Sequence, residues 1–312
     1  MEKLMSENSL FGHHLYQETA ALILGSICLL GVIFFFLRQR TVHFLTVWAS
    51  IKSWFFMAPI LLVILALPSP WPLAFLTLIA ILGMKTFFQM SGMYHRSWFV
   101  WTSYIFSLFL SLAIYKGWAD LYNVLPMIFL GTIAWIPIAR NSYNRMIQYI
   151  ALSLMAYIFV GWSFMHIGRL LVLHKGPFIV LYLYLLTEIS ENVSLSTGHI
   201  FGKHKPCKEI SQQVTIEGFV ISLFVTVLLA WGMRYLLPDH SKYFWIAAGL
   251  AAALFGRFGD LFLSVIRKDL GIKDTGVFII GRGDILGRVE RLIFVGPIYY
   301  YAYTYLQKLP LT

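Results

Sequence analysis

The chain has 312 residues, of which 59% are hydrophobic and only 12% charged, with a formal net charge of +10. A soluble surface needs about 25% charged residues, so these charges cannot cover a water-facing protein of this size. The mean hydropathy of +0.74 makes lipid the solvent for most of the chain. No basic stripe interleaves with aromatics on a polar surface, so nucleic acid is not the expected partner. The surplus of Lys and Arg suits loops facing anionic lipid, or a substrate carrying phosphates.

The opening segment MEKLMSENSLFGHHLYQE is too polar for a signal peptide, so the first apolar run is read as a retained helix. Spanning a bilayer takes about 20 apolar residues. That length predicts spans near 19–37, 53–67, 70–90, 97–115, 120–139, 147–168, 177–195, 216–236, 244–264 and 292–308. Pro68, Pro70 and Pro72 separate the second from the third as a tight helix-breaking turn. The seventh turns polar at its end. Trp98, Trp101, Trp118 and Trp245 stand at span ends and read as interfacial anchors. Cys28, in an apolar run, reads as packing, and Cys207 lies in a basic loop; neither has metal-ligand spacing. His166 and Arg169 close one span, where a lone His is most simply solvated or hydrogen-bonded. With the N-terminus outside, the inner loops hold about twice as many Lys and Arg as the outer ones. That bias predicts a cytoplasmic face carrying loops 203–209 and 267–291. The expected fold is all-α, a polytopic integral membrane protein with roughly nine to ten transmembrane helices.

Polar residues with chemical potential gather in the second half. Glu188 and Glu191 are three apart, so they share a helical face. Carboxylates at membrane depth are costly and mark function. The alternative is that this helix has already reached water there, and the residues alone leave both readings open. A basic loop follows, with Lys203, Lys205 and Lys208, then Ser211, Thr215 and Glu217-Gly218 opening the next span. It reads as a positive-inside loop or as a phosphate-binding one. The densest block runs from Gly259-Asp260 through Ser264, Arg267, Lys268, Lys273 and Asp274 to Arg282, Asp284, Arg288 and Glu290. Asp260 lies toward the middle of an apolar stretch, where a carboxylate needs a partner or a metal. Glycines mixed with charges of both signs suit a nucleoside triphosphate with a divalent metal: carboxylates hold the cation, and Lys, Arg and backbone N–H groups hold phosphates.

At this block the sequence resembles the phosphatidate cytidylyltransferase (CDP-diacylglycerol synthase) family. The stretch SVIRKDLGIKDTGVFIIGRGDILGRVERLIFVGPIYYY is similar to the signature S-x-x-K-R-x(4)-K-D-x-G-x(4)-G-H-G-G-x-x-D-R-x-D followed by an apolar span. Gly259-Asp260 matches the Gly-Asp that precedes it. FGKHKPCKEISQQVTIEG resembles the upstream G-K-(basic)-S-P-x-K-T-x-E-G segment. The likeness covers roughly residues 187–305. It retains Ser211, Thr215, Gly259, Asp260, Ser264, Lys273, Asp274 and Arg288, with the Lys-Arg pair swapped as Arg267-Lys268. The family's His-Gly-Gly is Arg282-Gly283-Asp284, and its Asp-Arg-x-Asp is Gly287-Arg288-Val289-Glu290. One carboxylate is therefore absent and another lengthened.

The resemblance implies an N-terminal transmembrane region at 1–176 and a cytidylyltransferase-like region at 177–312. It implies transfer of CMP from CTP to phosphatidate, giving CDP-diacylglycerol and pyrophosphate in phospholipid biosynthesis. It assigns catalytic roles to Lys268, Lys273, Asp274 and Arg288. Lys203, Lys205, Ser211, Thr215, Ser264, Arg267 and Arg282 would bind substrate. Mg²⁺ would be the cofactor, held by Asp260 with Asp284 and Glu290 standing in for the missing carboxylate. The expected partners are CTP, phosphatidate or a related lipid phosphate, and the lipid bilayer; homodimer formation is left open. The substituted signature leaves two alternatives: a member that binds lipid phosphate or nucleotide without turnover, and a cytidylyltransferase for a different lipid phosphate.

Overall fold

The computed structural model describes residues 10–37, 42–238, 241–271 and 285–309. Each apolar run of the sequence becomes a helical rod. In chain order these are α1 (His14–Leu37), α2 (Val42–Ala66), α3 (Trp71–Met90), α4 (Ser97–Lys116) and α5 (Ala119–Ala139). They continue as α6 (Met146–Leu171), α7 (Gly176–Phe201), α8 (Ile216–Gly232), α9 (Tyr243–Asp269) and α10 (Ile285–Leu306). Backbone polar groups in hydrocarbon must be satisfied within the segment, and a helix does this by itself. Among the described residues, 7 helices are long and apolar enough to cross a membrane. The segments Ile51–Ala66 and Ile216–Gly232 are shorter apolar helices. The early turns of α10 carry Arg288, Glu290 and Arg291, charges that a lipid-facing helix would not tolerate.

Local chemistry explains the boundaries. The proline-rich turn ends α2 at Ala66, and Pro72 sits in the first turn of α3, where its missing N–H costs nothing. Gly117, at φ 69°, closes α4 in a left-handed cap that a side chain would strain. Thr215 caps α8, its hydroxyl accepting from the Gly218 amide at 3.2 Å. Two rods are not uniform. α6 passes through a π-helical segment at Ala156–Ser163, and α9 through another at Ala251–Phe255. Both pack against α10. Such segments leave carbonyls without their usual helical donors. In α6 the Trp162 carbonyl is met by the Tyr122 hydroxyl at 2.7 Å.

The helices differ sharply in what surrounds them. In its most apolar window α1 is 17% buried, whereas α7 is 72% buried. The polar end of α7 therefore does not leave the protein for water. The helix runs on to Phe201, beyond the expected boundary near 195, and Glu188 inside it is 5% exposed. α8 lies along α7, joined by Ser222 donating to the Ser190 carbonyl at 2.6 Å. A Cβ on Gly218 would fall 2.5 Å from the Ser194 carbonyl oxygen, so only glycine permits this approach. Gly259 does the same for α9 and α10: a Cβ there would lie 2.4 Å from the Glu290 carbonyl oxygen. Cys28 is exposed on α1 rather than packed, and both cysteines are free.

Candidate active site

Three helices bring their charges together at one end of the bundle. α7 contributes Glu188 and Glu191, α9 contributes Arg257, Asp260 and Arg267, and α10 contributes Glu290 and Arg291. The glycine contact at Gly259 sets the last two helices close enough for this.

Arg291 is the centre of the cluster and is 8% exposed. Its guanidinium donates to Glu188 Oε1 at 3.3 Å and is ion-paired with Glu191 Oε2. The i, i+3 glutamates of α7 thus share one face, as their spacing requires, and meet one cation. This decides between the two readings of that pair: they are inside the protein, paired. A buried charge needs such a partner, because desolvation of an unpaired ion costs several kcal/mol.

Asp260 lies one turn below Gly256 on α9. Arg257, one turn earlier, donates to Asp260 Oδ2 at 2.8 Å. Glu290, 5% exposed, is near enough to Asp260 for the two carboxylates to interact electrostatically. Among the described residues no donor reaches Glu290 Oε2. Its nearest cation is Arg267, whose Nη2 stands 3.9 Å away, too far for a hydrogen bond. Arg257 neutralises Asp260 and Arg267 stands near Glu290, and the free Glu290 oxygen leaves room for a shared proton or a further cation. Carboxylate oxygens are the ligands a hard divalent cation takes, and Mg²⁺ is usually held by one or two of them with water and substrate phosphates completing the shell. Asp260 and Glu290 fit that requirement. Among the described residues no group of three or more His, Cys, Asp and Glu converges on a metal position.

A small apolar cleft lies beside Glu290. It is lined by Phe87, Phe159, Phe262, Leu286 and Phe294, with Glu290 in its wall. Phe159 and Phe262 have ring centroids 4.8 Å apart, and Phe262 and Phe294 5.5 Å. These three rings are half-buried.

The basic loop after α7 folds back on the start of α8. Glu217 accepts from the His204 amide at 3.2 Å and lies 2.6 Å from His204 Nδ1. Lys268, at the end of α9, donates to the Glu209 carbonyl at 2.7 Å and ties the loop to the cluster. Lys203 and Lys205 are exposed, and Ser211 is half-buried. Ser264 turns its hydroxyl to the Asp260 carbonyl at 2.9 Å, and Thr215 is occupied by its capping role. Lys273, Asp274, Arg282 and Asp284 lie outside the described residues, as does the side chain of Arg288. The structure therefore brings together Asp260, Glu290 and Arg267, with Lys268 at the rim. It adds Arg257 and Arg291, which the sequence reading did not select as site residues. Arg257 carried a signal, since it stands one helical turn from Asp260. Arg291 carried none within reach, because Glu188 is 103 positions away.

A polytopic helical bundle with 7 helices long and apolar enough to cross a membrane among its described residues, and with carboxylates paired to arginines inside it, belongs to the class of integral membrane proteins. Residues 48–306 match the model of the cytidylyltransferase family. The chain belongs to that family. It is 30% identical over 181 residues to the phosphatidate cytidylyltransferase of Staphylococcus aureus strain COL, covering 57% of this chain and 67% of that protein. The Staphylococcus haemolyticus phosphatidate cytidylyltransferase is 26% identical over 181 residues, with the same shares of the two chains, 57% and 67%. The uncharacterized protein YnbB of Escherichia coli K12 is 24% identical over 265 residues, 82% of this chain and 86% of its own length.

Proposed function

We propose that this protein transfers CMP from CTP to the phosphate of phosphatidate, forming CDP-diacylglycerol and releasing pyrophosphate. Family membership supplies the reaction class. The observation that supports the assignment to this site is the Asp260–Glu290 pair, with no donor on Glu290 Oε2 among the described residues, beside an apolar cleft. In this reading the acyl chains of the lipid stay in hydrocarbon while the phosphate enters along Phe159 and Phe262. CTP arrives from water past the loop that Lys268 pins.

Both reactants are anions, so their approach needs charge neutralisation. A divalent cation such as Mg²⁺, when bound, would supply it by clamping the triphosphate and stabilising the departing pyrophosphate. Asp260 and Glu290 would hold that cation, and Asp284 is the third carboxylate we assign to it. Arg267 and Lys268 offer fixed positive charge where negative charge develops, and Lys273 and Arg288 are assigned the same task on the resemblance alone. Arg291 keeps Glu188 and Glu191 neutralised, so they do not compete for the cation. Positioning and electrostatics would do most of the work.

A second reading keeps the chemistry and changes the acceptor to another lipid phosphate. The part of the chain outside the match favours it, since the Staphylococcus aureus phosphatidate cytidylyltransferase matches only 57% of this chain. The test is purified protein in detergent with labelled CTP, a panel of divalent cations, and phosphatidate beside other lipid phosphates. CDP-diacylglycerol formed only with phosphatidate supports the first reading, and a different CDP-lipid supports the second. Phosphatidate bound without any CDP-lipid under every cation overturns both in favour of a binding protein without turnover.

A further inference from the structure

Further along α10 its Tyr300 ring meets a cation from α6 in a different environment. Tyr300 lies ten positions beyond Glu290, about 15 Å further along the helix axis. Arg169, in the last turn of α6, holds its guanidinium between two aromatic rings. Its Cζ is 4.8 Å from the Tyr122 centroid and 4.3 Å from the Tyr300 centroid. Nη1 donates to Asn123 Oδ1 at 3.2 Å. Among the described residues no carboxylate is ion-paired with Arg169. The rings themselves are fixed: Tyr122 is 1% and Tyr300 8% exposed. Tyr122 is further held by the Trp162 carbonyl and by His166, which is fully buried and 3.1 Å from its hydroxyl.

We propose that Arg169, clamped between Tyr122 and Tyr300 beside Asn123, is a seat for the phosphate of an anionic phospholipid headgroup. The two rings hold the guanidinium in place at 4.8 and 4.3 Å. A guanidinium presents N–H donors in a fork that binds two phosphate oxygens. Asn123 takes one donor and leaves the others. Arg169 is half-exposed at the bundle surface. The surroundings are interfacial: Trp118 is 51% and Tyr301 46% exposed, as aromatic anchors at headgroup depth are. A phosphodiester without an ammonium group matches a lone guanidinium best, because no ligand cation competes for the phosphate. Arg96 offers the contrast, lying over the single ring of Tyr149 at 4.6 Å and spending a donor on that ring's own hydroxyl at 2.7 Å.

The test uses the full-length protein, delipidated in detergent. Retained phosphatidylglycerol is counted by native mass spectrometry, and its affinity is read from the rise in melting temperature. The wild type and Arg96→Gln should retain the lipid equally. Arg169→Gln should retain one molecule fewer and bind about tenfold more weakly, the loss of one charge-assisted contact. Arg169→Lys keeps the charge without the planar fork and should fall near Arg169→Gln; helical circular dichroism checks that both fold. Equal lipid counts in wild type and both Arg169 variants would make the clamp a packing device and overturn the proposal. Stabilisation of the wild type by inorganic phosphate to the same extent, lost in Arg169→Gln, would overturn the lipid assignment in favour of a free anion.

Discussion

Among the described residues the first five helices bury hydroxyls but no charge, while the last five bury charge. In the first group the buried polar residues are Thr19, Ser53, Thr77, Ser103 and Ser107. Thr77 and Ser103 return their hydroxyls to carbonyls one turn back on the same helix. The last five bury Glu188, Glu290 and Arg291. The difference teaches where lipid can serve as solvent. An apolar helix gains little by facing protein instead of hydrocarbon, so α1 stays mostly exposed. A helix carrying ions has no such freedom and is enclosed by others, as α7 is.

The largest test of this contrast is chemical. Asp260→Asn should lower turnover at least about a hundredfold, the scale on which one electrostatic group in a preorganised site acts. Glu290→Gln should do the same and alter the choice of divalent cation. Conservative changes at Ser103 or Thr77 should leave the rate near wild type. Retained CDP-lipid formation in both carboxamide variants would move the chemistry away from this pair.

Stability comes next. Arg291→Met leaves Glu188 and Glu191 buried without a cation and should cost about 3–5 kcal/mol. Adding Glu188→Gln and Glu191→Gln should return most of that loss, since the carboxylates that needed a partner are gone. Melting temperatures of the single and triple variants decide it. A triple variant as unstable as the single one would mean that Arg291 acts through its size and not its charge.

A smaller effect concerns the rim. Lys273→Ala should raise the CTP requirement more than Lys242→Ala, because the first belongs to the signature block and the second does not. Equal KM values would reduce the block to an ordinary basic loop. The smallest effect falls on Thr215. Its replacement by Ala removes the cap of α8 and should cost about 1 kcal/mol, with little change in KM for CTP. A large KM change there would mean that the hydroxyl also reaches substrate.

The chain's composition and runs of apolar residues determined the architecture. A bilayer of fixed thickness sets the length of each span, and a helix satisfies its own backbone, so local sequence was enough. The motif residues Asp260 and Glu290 were legible for the same kind of reason: they sit in a block whose spacing is similar to a known signature. What tertiary structure alone decided is which charges face each other. The sequence leaves open whether the polar end of α7 has reached water or carries buried carboxylates; in the structure α8, α9 and α10 pack against it. The partner that makes Glu188 and Glu191 tolerable there is Arg291, from a helix 103 positions further along the chain. Likewise the ring that completes the Arg169 clamp, Tyr300, comes from α10 rather than from a neighbour in sequence. Ion pairing and cation–aromatic stacking act over a few ångströms, and between distant segments only the packing of helices supplies those ångströms.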